Sequence, residues 1–328
     1  MEHISDKLKA EFSRAKNAFL EADRICIISH RGPDGDAVGS NCALKLALQA
    51  MGKEVVSACV DPVPPDSVWL KGADKYVEDF SYNDFDLVCS VDCAAPKMVV
   101  FEIKHDKPFV NFDHHISNNG FGTVNVVDAD ACSTAIILYK FLEYCGWRIS
   151  IDIATCLLHG IYFDTGSLMH SNTTEEVYRV AGELMSRGAN LKKIAKEPFH
   201  TTAVNKMRLW GRILERTYVN EQGVTVSAVG TADYVACGAT SKDTGGAIDF
   251  LNAVPGSQYC VLLSEDDKGL VKGSLRTQRE DVNLSDVAGQ WGGGGHPKAS
   301  GFGIEGHLRP VMSWKIVGEN GEGKELTF

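Results

Sequence analysis

Apolar residues recur at Ile4, Leu8, Phe12, Ala15, Phe19 and Leu20, a helical spacing that predicts an amphipathic helix over residues 3–22. A short run rich in β-branched residues follows at 25–28 and ends at Ser29, the pattern of a buried parallel strand. The apolar positions Ala43, Leu44, Leu46, Ala47 and Leu48 predict a helix that begins at Gly39-Ser40 and is stopped by Gly52. A strand over 55–60 then closes a βαβ unit, and three prolines mark 61–67 as an irregular loop. Two further apolar runs, 86–92 and 108–113, read as strands, and 133–144 and 151–163 as helices.

The texture changes in the second half. Residues 190–200 are polar, 207–214 resume an apolar helical pattern, and from Val224 onward the chain carries short strands at 224–229, 259–264 and 270–275 with one helix near 245–252. The acidic, glycine-ended turn at 265–269 makes the last two strands a hairpin. The expected fold class is α/β: a parallel-sheet domain over 1–189, a linker over 190–216 and a smaller mixed α/β domain over 217–328.

Composition narrows the class. A chain of 328 residues with 44% hydrophobic and 23% charged residues is long enough for two domains with their own cores. Its first residues lack the apolar core of a secretion signal, and no run of about 18 apolar residues occurs, so a cytoplasmic protein with no membrane partner is expected. The ten cysteines are scattered without a C-x-x-C pair and read as buried reduced thiols. A net charge of −10 opposes gripping a long polynucleotide, because replacing its counterions takes many Lys and Arg. A small anionic substrate held by a metal is compatible with that balance.

The candidate chemistry lies at the strand ends. His30, Asp34 and Asp36 follow the first strand, where open α/β sheets place ligands, and Gly32-Pro33 and Gly35 turn the chain sharply enough for these side chains to converge. Asp92 ends another strand, Asp113-His114-His115 a third, and Asp164 the helix at 151–163. Any one of these alone is compatible with a solvated turn. Crowded together, the acids would be costly without a cation. Carboxylate and imidazole without thiolate suit Mn or Mg, and the donors exceed what one ion takes while keeping an open position, so a pair of ions about 3.5–4 Å apart is expected. The four glycines at 292–295 permit positive φ and close approach of amides to an anion, with His296 placed to bond a phosphate oxygen; a flexible linker would also fit such a run. His105, His159, His170, His200 and His307 have no partner spacing and read as structural or solvated, and the polar tail after Trp314 as a hairpin or frayed end.

In their order and spacing, His30-x-x-x-Asp34-x-Asp36, Asp92, Asp113-His114-His115 and Asp164-Thr165-Gly166 resemble the four motifs of the DHH phosphoesterase superfamily. Residues 292–301, Gly-Gly-Gly-Gly-His-Pro-Lys-Ala-Ser-Gly, resemble the signature of the DHHA1 domain, and the length is similar to the nanoRNase type. The resemblance implies a parallel-sheet DHH domain, a smaller mixed DHHA1 domain and a di-manganese active site in the cleft between them. It implies one metal on His30, Asp34 and Asp92, and another on Asp36, His114 and Asp164, with Asp92 bridging. Asp113 would orient the motif's histidines, His115 would reach the substrate phosphate, and Arg276, in Lys-Gly-Ser-Leu-Arg, would bind substrate with Gly293, Gly294, Gly295 and His296. Many relatives carry a second histidine in the first motif where this chain has Arg31 and Gly32.

The implied activity is hydrolysis, by a two-metal-activated water, of short RNA to 5′-mononucleotides and of 3′-phosphoadenosine 5′-phosphate (pAp) to AMP. Linear or cyclic dinucleotides such as pApA and c-di-AMP are close competitors. The same motifs are compatible with a RecJ-like single-strand exonuclease, a manganese-dependent pyrophosphatase or a catalytically silent nucleotide sensor. The expected partners are a short oligonucleotide or small nucleotide, no long duplex and a second copy of the chain in a homodimer.

Overall fold

The computed structural model describes residues 4–103, 107–200, 202–266, 268–309, 314–317 and 323–326, and the chain divides into two compact units, Met1–Thr201 and Thr202–Phe328. The first unit runs α1 (Asp6–Glu21), β1 (Arg24–Ile28), α2 (Gly35–Ala50), β2 (Glu54–Ala58), β3 (Tyr76–Val77), β4 (Leu87–Val91), α3 (Pro96–Val99), β5 (Phe109–Asp113) and β6 (Val124–Val127). The helices α4 (Thr134–Cys145), α5 (Ile151–Asp164), α6 (Glu175–Ser186) and α7 (Leu191–His200) complete it. Its strands stand in the order β3-β2-β1-β4-β5-β6, and all neighbours are parallel. The order reverses direction between β1 and β4, where such sheets leave a crevice beyond the carboxyl ends of the strands.

Alternation along the strands builds a core on each face. Ile25 and Ile27 of β1 and Leu87, Cys89 and Val91 of β4 pack with Phe12 and Phe19 of α1 and with residues of α2, α4 and α5. Cys26, Ile28 and Val88 turn the other way, to Phe85, Val99 and Phe109. Both faces are thereby covered, as a parallel sheet requires. All ten cysteines are buried free thiols.

The helix after β1 begins at Gly35, not at Gly39 as the hydrophobic pattern predicts. Asp34 is the reason. Its Oδ1 accepts from the amides of Asp36 and Ala37 at 3.0 Å each, an N-cap worth about 0.5–2 kcal/mol, so the acidic stretch that reads as a turn is the first turn of α2. Close crossing of α2 and α5 depends on Gly39 and Gly160. A Cβ on Gly39 would lie 2.6 Å from the Cys156 carbonyl, and one on Gly160 would lie 2.6 Å from Asp36 Oδ1.

Residues 190–216 contain α7 in the first unit and α8 (Val204–Glu215) in the second. Ile194 packs in the first core, and Leu209 and Ile213 in the second. The second unit continues with β7 (Tyr218–Val219), β8 (Thr225–Val229), α9 (Thr231–Cys237), α10 (Ala247–Asn252), β9 (Cys260–Glu265), β10 (Leu270–Arg276), α11 (Leu284–Gly289), β11 (Gly294–His296) and β12 (Ala299–Glu305). Its sheet, β11-β12-β10-β9-β8-β7, is mixed: β8 and β9 are parallel and the other neighbours antiparallel. In the tail, β13 (Trp314–Val317) and β14 (Gly323–Leu326) pair antiparallel. Among the described residues no helix is long and apolar enough to cross a membrane.

Candidate metal centre

The tips of β1, β4 and β5, with the ends of α2 and α5, carry the titratable residues singled out in the first half of the sequence. After β1 the chain is held by Cys59 Sγ, which donates to the His30 carbonyl at 3.2 Å, and by Gly32 N, which donates to Asp61 Oδ2 at 2.9 Å. Gly32 sits at φ +62°, so glycine makes this turn without strain. His30 Nδ1 lies 2.9 Å from the Arg31 carbonyl, and its Nε2 is 3.4 Å from Asp92 Oδ2. Asp92 itself stands at φ +60°, an uncommon conformation for a residue with a side chain that Asp tolerates better than most.

Asp92 is the hub. Its Oδ1 lies 3.6 Å from His114 Nε2 and 3.7 Å from His115 Nδ1, and it accepts from Thr134 Oγ1 at 3.1 Å. Asp36 is fully buried in the first turn of α2; its Oδ2 accepts from Thr134 N at 2.6 Å and its Oδ1 from Ala135 N at 3.0 Å. His114 approaches the Ala131 carbonyl with Nδ1 at 3.3 Å and Asp164 Oδ2 with Nε2 at 3.2 Å. Asp113 bonds His115 Nδ1 at 2.7 Å and accepts from Asn118 Nδ2 at 2.7 Å. Asp92 belongs to three groups whose donor atoms lie within 4.8 Å of one another: in one, Asp113 and His115 are already bonded to each other, and the other two, His30, Asp34 and Asp92, and Asp36, Asp92 and His114, are the two clusters that share its carboxylate.

The electrostatics are those of too many anions in a small volume. Burial, followed by the charges of Asp92 and Asp164, pushes the Asp34 carboxyl up to about 7 and the Asp36 carboxyl well above its ordinary range. Burial raises Asp164 as well. Burial also acts to raise Asp92, but the His30 hydrogen bond and the charges of His114 and His115 outweigh it and hold the carboxyl at about 2. For the histidines, burial opposes the charge, but the hydrogen bond and charge of Asp92 raise His30 to about 9, and those of Asp164 raise His114 to about 10. Protons and imidazolium groups thus supply the positive charge that a divalent ion would supply instead. The donor set, carboxylate and imidazole with no thiolate, fits a hard or borderline divalent ion, and it forms a candidate acidic and histidine metal site.

The predicted residues of the second half lie together in their own unit. Arg276 of β10 and His296 of β11 both pair with Ala299 of β12 from opposite sides. Directly opposed residues share a sheet face, so the two stand in one row, roughly 10 Å apart at two strand spacings. The glycine run is a strand and turn, not a flexible linker. A Cβ on Gly293 would lie 2.1 Å from the Gly301 carbonyl and one on Gly295 2.6 Å from the Ala299 carbonyl. Glycine here lets β11 lie against β12.

Of the remaining histidines, His159, His170 and His307 fall outside the clusters. His159 is buried against Ser67 Oγ at 3.0 Å, and desolvation lowers it to about 4, which keeps it neutral. His307 bonds Glu265 at 2.5 Å, and His170 packs over Gly166. His105 and the His200 side chain lie outside the described residues. Three residues that bond the clustered groups carry no signal in the sequence pattern: Ala131, Thr134 and Ala135. Residues 133–144 read as a helix, but Thr134 meets Asp36 and Asp92 across 98 and 42 residues, and nothing local announces that.

Residues 24–161 match the DHH family, N-terminal domain, and residues 222–312 the DHHA1 domain. These matches join the parallel-sheet unit and the mixed unit into one class, the DHH phosphoesterases that carry a DHHA1 domain. The bifunctional oligoribonuclease and PAP phosphatase NrnA of Thermus thermophilus is 31% identical over 86% of this chain and 84% of its own. The Bacillus subtilis protein of the same name is 26% identical over 90% and 93%. An exopolyphosphatase-related protein from Bacteroides fragilis shares the fold, with a TM-score of 0.83 at 23% identity over 95% of this chain and 94% of that one. The chain belongs to the NrnA family of DHH–DHHA1 phosphoesterases.

Proposed function

We propose that this protein hydrolyses short RNA oligonucleotides to 5′-mononucleotides and pAp to AMP, with two divalent ions, Mn2+ in preference to Mg2+. The observation that carries the reading is the sharing of Asp92 between the two donor clusters. The names of its relatives supply the substrate class, oligoribonucleotide and PAP. The mixture of imidazole and carboxylate donors favours Mn2+.

His30, Asp34 and Asp92 would hold one ion, and Asp36, His114 and Asp164 the other, with Asp92 common to both. Bound there, the ions would draw charge from the phosphoryl oxygens and make water a stronger nucleophile at neutral pH. The chain's own residues do the rest. Asp113 holds His115 through the 2.7 Å bond at Nδ1, and Asn118 holds Asp113. Burial disfavours the imidazolium, but Asp113 and Asp92 raise the His115 pKa above its ordinary value, the direction that favours a positive charge beside the phosphate where negative charge develops. Arg276 and His296, in one row of the second sheet, are assigned to a second phosphate of the substrate. Both substrates have one.

A turnover panel of pAp, pApA, c-di-AMP, pyrophosphate, RNA of about two to five nucleotides and long single-stranded DNA tests the reading. Release of mononucleotides from the short RNAs and of AMP from pAp is expected, with long DNA poor because a chain of net charge −10 repels an extended polyanion. Processive digestion of long DNA, or turnover of pyrophosphate alone, overturns it.

A further inference from the structure

Residues 131–135 supply none of the clustered imidazoles or carboxylates, yet they bond to three of them. The Ala131 carbonyl meets His114 Nδ1, the amides of Thr134 and Ala135 take the two oxygens of Asp36, and the Thr134 hydroxyl donates to Asp92 Oδ1. Asn172 ties this segment to the end of α5, with Nδ2 donating to the main-chain carbonyls of Cys132 at 3.3 Å and Asp164 at 3.1 Å. His30 and Asp34 take their hydrogen bonds from elsewhere, the Arg31 carbonyl and the first amides of α2. The start of α4 therefore bonds every member of one donor cluster, Asp36, Asp92 and His114, and of the other only the shared Asp92.

Within this set of contacts the Thr134 hydroxyl is the one made by a side chain of the segment; the rest are main-chain atoms that any substitution would retain. Its target is specific. Asp92 divides its oxygens, Oδ2 toward His30 and Oδ1 toward His114, and the hydroxyl bonds Oδ1. A carboxylate that must serve two positions at once needs its rotation about χ2 held, since that torsion is soft. Thr134 is fully buried, so no solvent competes for its hydroxyl.

We propose that Thr134 is the positioning residue for the metal position formed by Asp36, Asp92 and His114, its hydroxyl fixing the rotation of Asp92 so that Oδ1 faces that position. The inference rests on the two-metal reading above. Partners of this kind that hold a ligating group in place change metal affinity about 10–100-fold when removed.

The test is calorimetric titration of chelator-treated full-length protein with Mn2+. Thr134→Val keeps the branched shape and the amide to Asp36 and deletes only the hydroxyl; Thr134→Ala deletes it without a replacement methyl; Thr134→Ser keeps it. The wild-type protein is expected to take up two ions. Thr134→Val and Thr134→Ala are expected to bind the ion at Asp36, Asp92 and His114 about 10–100-fold more weakly and the other ion less tightly by a smaller factor, since Asp92 Oδ2 turns with Oδ1, while Thr134→Ser binds both as wild type does. A valine variant with two wild-type affinities, or a serine variant as weak as the valine one, overturns the inference. Weakening in the valine variant alone assigns the effect to packing and overturns it too. If the wild type takes up no Mn2+, the two-metal reading falls and the inference with it, an outcome distinct from the others.

Discussion

Replacing Asp92 with Asn removes one negative charge from the position both clusters share while keeping its shape. The carboxylate is buried, with His30 Nε2 at 3.4 Å from one oxygen and His114 Nε2 at 3.6 Å from the other, so an ion in either cluster sits beside it. Two unit charges about 4 Å apart interact by about 4 kcal/mol at an effective dielectric of 20. Because each 1.4 kcal/mol is a factor of ten, one lost charge weakens binding by about a thousandfold, and more for a divalent ion. Asp36→Asn touches one cluster. Elemental analysis of the desalted proteins, with Mn2+ titration alongside, should find both ions lost from Asp92→Asn and one retained in Asp36→Asn. Two tightly held ions in Asp92→Asn would refute the sharing.

Mn2+ affinity should rise with pH between about pH 6 and pH 9, because the ions displace protons. In the metal-free site Asp34 is raised to about 7 by burial and then by Asp92 and Asp164, while His30, despite burial, is raised to about 9 by Asp92. Both hold protons below those values, so calorimetry in buffers of different ionisation enthalpy should show proton release, and a pH-independent affinity would contradict it. Arg276→Ala and His296→Ala should lower kcat/KM for pAp with metal stoichiometry unchanged, and loss of metal in either would mean that their role is misassigned. In Gly160→Ala the new Cβ meets Asp36 Oδ1 at 2.6 Å and the Ala135 Cβ at 2.7 Å, so a stability loss of about 1–3 kcal/mol is expected by denaturant titration together with weaker metal binding.

What the sequence made legible follows from how strands end. A mostly apolar run, Leu87–Val91 or Phe109–Phe112, leading into Asp92 or Asp113-His114-His115 advertises both the strand and the group at its tip, and the reversal of strand order between β1 and β4 brings those tips together. The start of α2 was hidden because Pro-Asp-Gly-Asp has the composition of a turn; that Asp34 both caps a helix and stands among the metal-type donors is visible only once its Oδ1 is seen to accept two amides. The glycines at 292–295 pointed to backbone freedom, but the close contact of β11 with β12 that requires them depends on residues 299–302, which local pattern does not pair with them. Thr134 was illegible for the same reason on a longer scale.

If two ions act together around Asp92, turnover measured against added metal counts them. Protein stripped by a chelator would be titrated with Mn2+ while AMP release from pAp and mononucleotide release from a short RNA are followed under conditions of tight binding. No activity is expected without metal, and the rise should reach its plateau at two equivalents per chain. Full activity in the stripped protein, or a plateau at one equivalent, would contradict the two-ion reading.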